Sequence, residues 1–226
     1  MSGKQHVLNY LLLSGAGALL LLAAAIVHAS GKTIGSFDRA AVGGAFILCC
    51  AYGVYAAIRP GQGTVKDRGH RHSQTKVDGH HPDCEHFRSH VVRIGHRTMC
   101  SGCLGLAAGA VVSAVLMLLY IAPAWELSVD APQFLLPAGL GLVALNFVET
   151  ALPGKNGYVH MLSNILLVTG FLSYTVGILQ LTGSAAYGFF GIMLSFLWLD
   201  TRVVLSDQRH VYICQGCSET CKMFPD

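Results

Sequence analysis

CSGCLGLAAGAVVSAVLMLLYI, residues Cys100 to Ile121, joins the two features that decide how this chain folds. From Leu104 to Ile121 no residue carries a charge. As a helix this run comes close to crossing the ~30 Å of hydrocarbon in a bilayer. The four residues before it form a C-x2-C pair, a spacing at which two thiolates can meet one cation. A membrane helix therefore begins where thiol chemistry ends.

Working outward, five more apolar runs follow the same pattern: Val7 to Ala29, Ala40 to Ile58, Phe134 to Leu152, Val159 to Leu181, and Ala185 to about Leu205. Apolar residues make up 53% of the chain and charged residues 12%, which excludes an ordinary soluble domain. Gly, Ala and Ser recur inside the runs, and small residues let membrane helices approach closely. Val27-His28-Ala29 resembles a signal cleavage site, but the run before it is long for a signal peptide and reads as a span.

The expected fold is all-α: a polytopic membrane protein of six transmembrane helices. Residues 1–58 form a two-helix N-terminal hairpin and 59–103 a Cys/His-rich loop. Residues 104–205 form a four-helix membrane region and 206–226 a Cys-rich tail. Six spans place both termini, the 59–103 loop and the turn before Tyr158 on one side. All of the 15 Lys and Arg residues except Lys32 and Arg39 fall on that side. The excess of basic residues predicts a plasma-membrane protein with both termini, loop and tail in the cytoplasm. The net charge of +3 reflects this bias, and no aromatic-interleaved basic surface points to nucleic acid. The expected partners are the lipid bilayer and other membrane subunits or further copies of the chain.

A cytosolic loop is reducing, so clustered cysteines there point to metal or redox chemistry over disulfides. His81-x2-Cys84 lies fifteen residues before Cys100-x2-Cys103, a layout similar to a zinc ribbon. His80, His86, His90 and His96 compete with His81 for the fourth position. Gly102, inside the second pair, is expected to take a left-handed turn. The tail repeats the theme: His210-x3-Cys214-x2-Cys217-x3-Cys221 is a second Cys3His set on the same side. Loop and tail either hold separate ions or share ligands. Zinc is the expected cofactor, with an iron–sulfur cluster the alternative. Cys49 and Cys50, mid-span, read as small packing residues.

Ionisable groups inside spans are functional candidates. Asn146 and Glu149 share one face of the fourth span, and His160 and Asn164 share one face of the fifth. The short connection between these spans makes them an antiparallel pair, so the two faces are expected to form a candidate intramembrane polar site. The competing expectation is that Glu149 and His160 snorkel to water. Asp200 and Arg202 either pair with neighbouring helices or mark the end of the sixth span. Tyr120, Trp125 and Tyr158 read as interface anchors.

Cys84, Arg88, Ser89, Gly95, Cys100, Cys103, Gly105, Leu106 and Gly109 together resemble the motif of an uncharacterised family of small prokaryotic membrane proteins. That motif is a Cys, an Arg-Ser, a Gly, then Cys-x-x-Cys-x-Gly-Leu or -Ile leading into a span. Ser163 to Gly170 is similar to its Ser-Asn…Thr-Gly helix. The resemblance covers roughly residues 80–180 and departs from the pattern at Glu85 and Gly102. It implies a membrane protein with a Cys-based motif and no particular activity.

Three functions fit. The first is a metal-binding accessory or structural subunit. The second is a redox protein with a dithiol or iron–sulfur centre. The third is a metal-ion or proton transporter with a His-rich sensing loop. A zinc hydrolase fits less well: H-E-x-x-H is absent, and only Glu85 adjoins a candidate ligand. A non-enzymatic role is the expectation.

Overall fold

A computed structural model describes residues 3–30, 34–58, 90–94, 97–123, 127–128, 130–152 and 156–215. The chain is an all-α bundle of six helices: α1 (Gly3–Val27), α2 (Ser36–Ile58), α3 (Ser101–Ile121), α4 (Ala131–Ala151), α5 (Gly157–Thr182) and α6 (Ala185–Gln215). All six are long and apolar enough to span a membrane. Leu12, Leu20, Leu48, Phe134, Met193 and many like them lie exposed on the outside of the bundle. In water such a surface would aggregate; in hydrocarbon it costs nothing.

α5 is the central helix. Two-thirds of its most apolar stretch (67%) is buried, against 17% for α1. Glycines explain how close its neighbours come. A Cβ at Gly109 of α3 would lie 2.9 Å from the Ile165 Cα, and a Cβ at Gly105 would meet the Met161 carbonyl oxygen. Gly105 and Gly109 are four apart, the spacing at which small residues line one helix face. On the other side of α5, a Cβ at Gly139 of α4 would lie 2.8 Å from the Tyr174 backbone nitrogen.

Polar side chains fix the peripheral helices. The Tyr174 hydroxyl donates to the Ala18 carbonyl at 2.8 Å, tying α1 to α5. Thr201 donates to its own helix at Leu197, so the Ser14 hydroxyl is the donor in the Ser14–Thr201 bond between α1 and α6. Ser30 donates to the Thr182 carbonyl at the far end, and Gly183 closes α5 at φ 64°, a left-handed conformation natural to glycine. Trp198 fills the centre against Phe171 and Tyr174.

Three features differ from expectation. A two-stranded hairpin, β1 (Val91–Ile94) and β2 (Arg97–Cys100), precedes α3. Its sequence, VVRI-GH-RTMC, is two β-rich runs around a two-residue connection, a strand signal overshadowed by the cysteines. α6 also runs through Gln215, so the first ten residues of the expected tail, 206–215, continue the last span as helix. Tyr120 is not an interface anchor. It is buried, accepts a hydrogen bond from Gln180 and lies under Arg39. Tyr158 is exposed, as an anchor would be, and Trp125 lies outside the described residues.

Candidate functional site: thiols, imidazoles and a buried arginine

Helix alternation brings the starts of α3 and α5 and the ends of α2, α4 and α6 to one end of the bundle. There the hairpin delivers Cys100 as the residue before α3, and Cys103 follows on the first turn. Ser101 donates to the His90 carbonyl at 2.9 Å, pinning the hairpin's start to the helix's start. Cys100 and Cys103 are hydrogen-bonded to one another. Among the described residues, Cys49, Cys50, Cys100 and Cys103 are all thiols outside any disulfide.

Beside the pair stands His160. Its Nδ1 is 2.9 Å from one Glu149 carboxylate oxygen and 3.2 Å from the other. Its Nε2 is 3.4 Å from an Arg202 amino nitrogen. An arginine can only donate, so Nε2 accepts and Nδ1 carries the proton it donates to Glu149. Ser163, on the same face of α5, accepts from the Asn146 amide of α4 at 2.9 Å. The polar faces of α4 and α5 therefore meet each other, with Glu149 still partly exposed. Asn164 turns its amide to the His160 carbonyl at 2.6 Å. The Oδ1 atoms of Asn146 and Asn164 are buried with no hydrogen-bond partner among the described residues.

Of the two expectations for Arg202, pairing with a neighbouring helix is the one the structure shows: it is 9% exposed and turned to His160 on α5, while Asp200 on the same helix is exposed. Arg202 shares the lining of one cavity with Cys100, Cys103 and Asp207. Gly102 makes room for it. That residue is helical, not left-handed, and a Cβ there would lie 2.6 Å from the Arg202 amino nitrogen and 3.3 Å from His160 Nε2.

His90 and His210 complete the cluster. The His90 ring lies 5.4 Å from that of His160 and 5.9 Å from that of His210. His210 belongs to the expected tail set, so α6 carries a tail residue to the loop cysteines. Cys100, Cys103, His160, Arg202 and His210 line one end of a cavity of about 740 Å³. Cys214 lies one turn further along α6, with its side chain outside the described portion. His81, Cys84, Cys217 and Cys221 lie outside the described residues. Among the described residues, no three His, Cys, Asp or Glu side chains are placed to hold a metal ion.

No family model, curated protein or solved structure matches the chain. The resemblance over residues 80–180 rests on its motif residues alone.

Proposed function

We propose that this multi-pass membrane protein binds a metal ion, zinc being the simplest, at its thiol end, as an accessory or structural subunit of a membrane assembly. Cys100 and Cys103 supply two ligands, and His81 with Cys84, or Cys214, Cys217 and Cys221, supply the rest. One observation carries the reading: His210, from the C-terminal Cys/His set, lines the same cavity end as Cys100 and Cys103. A four-ligand site would tie loop and tail to the bundle and contribute folding free energy directly. The basic-residue bias supports a cytoplasmic location for this end.

Metal analysis of protein purified without oxygen tests this. One or two zinc per chain is expected, falling in Cys103→Ser together with protease resistance of the 60–100 loop. Unchanged zinc and unchanged protease resistance in that variant would remove Cys103 from the site.

A second reading is favoured by the cavity itself. A closed zinc site has no use for an apolar groove, whereas a dithiol that exchanges electrons with a membrane-soluble partner does. Zinc-free protein with two rapidly titrating thiols would support the dithiol. Brown, iron-containing protein would instead indicate an iron–sulfur centre.

A further inference from the structure

The cavity that ends at Cys100 and Cys103 extends along the membrane helices. On α2 it reaches from Ala57 back to Phe46, and on α3 from Cys100 to Ala110, about 15 Å in each case. α2 packs mainly on α3 and only lightly on α6, so the groove lies between α2 and α6 with α3 and α5 as its floor. Its long wall is apolar, with Phe46, Phe171 and Phe196 among the lining side chains. Its charged residues and imidazoles cluster at the thiol end, with Cys49, Cys50 and Ser195 further along.

Two features describe the head of an occupant. Arg202 is nine-tenths buried and lines the cavity, and its Nε has no hydrogen-bond partner among the described residues. An orphaned buried donor is costly, so the head must carry an acceptor. Asp207 lines the same end as Arg202, and among the described residues these are the formally charged ones of the lining. Their charges cancel, so a neutral head is favoured over a phosphate or carboxylate. A hydrocarbon tail alone would leave Nε unsatisfied.

We infer that this groove binds an isoprenoid quinone. Its tail would lie between α2 and α6, and a ring carbonyl would accept from Arg202 beside the Cys100–Cys103 pair. A quinone is neutral, flat, rich in acceptors and soluble in the bilayer. The binding half of this inference stands apart from the metal reading; the electron-transfer half rests on the dithiol reading. In that half, the two S–H bonds of Cys100 and Cys103 break and one S–S bond forms. Two electrons and two protons pass to the quinone oxygens, giving the quinol.

The test uses the full chain in nanodiscs with a short-chain ubiquinone analogue as probe. Trp125→Phe leaves Trp198, which stacks on the groove residue Phe171 at 5.9 Å, as the fluorescent reporter. Saturable quenching is expected, abolished by the groove-filling Ala57→Leu. It should shift to roughly tenfold weaker binding in Arg202→Lys, which keeps the charge and loses Nε. Quenching that rises linearly with quinone, or that is the same in both variants, overturns the site. Reduced wild-type protein is expected to form one quinol per two thiols lost, and Cys100→Ser to bind without reducing. Saturable, Ala57-sensitive binding with no quinol formed supports the groove and removes the dithiol reading.

Discussion

Glu149 on α4 and His160 on α5 hold each other at 2.9 Å near the end of the bundle where the thiols lie. Both are largely shielded, with side chains 16% and 8% exposed. Their bond sets the tautomer of His160, turns Nε2 to Arg202 and so links α4, α5 and α6.

Glu149→Gln keeps the shape and removes the charge. The His160 donor then faces a neutral amide, and a charge-assisted bond is lost in a shielded place. A loss of about 1.5–3 kcal/mol is expected, read as a lower unfolding temperature in detergent. An unchanged melt would mean that water replaces the pair.

Glycine positions should separate sharply. Gly105→Ala drives a methyl into the Met161 carbonyl, and Gly102→Ala displaces Arg202. Each is expected to cost about 1–3 kcal/mol. Gly141 has nothing within 4 Å of a built Cβ, so Gly141→Ala should be neutral or stabilising by up to ~1 kcal/mol. Equal effects at all three sites would contradict the helix packing.

Tyr174→Phe removes the donor to the Ala18 carbonyl. The cost expected is about 1 kcal/mol, and α1 should become the first helix cut by protease. Digestion that begins elsewhere, with no change in melting, would argue against this tie.

Orientation is open to a direct measurement. In a background without other cysteines, Lys4→Cys and Ala29→Cys place single thiols at opposite ends of α1. An impermeant maleimide added to intact cells is expected to label Ala29→Cys and to spare Lys4→Cys. The reverse pattern would put the thiol end outside.

Six long uncharged runs have one low-energy solution in hydrocarbon, where a backbone must satisfy itself, so the spans were legible in the residues. The positions of the thiols at the start of α3 followed from the same reading. The facing of α4 and α5 was legible because a short connection forces antiparallel neighbours. His90 and the hairpin were harder to see, since four-residue strands give a weak periodic signal beside so many metal-ligand types.

The one-dimensional order of residues therefore determined the helices, their alternation and the position of Cys100 and Cys103 at the start of α3. It could not say that Arg202, 17 residues into α6, turns inward to His160, that Gly102 serves as its clearance, or that His210 reaches the loop pair. Those depend on helix rotation and close approach, set by glycine contacts between elements far apart in the chain, such as Gly17 with Leu194 and Gly188 with Val42. Local propensity carries no record of them, because the energy that selects them arises only when the helices are packed.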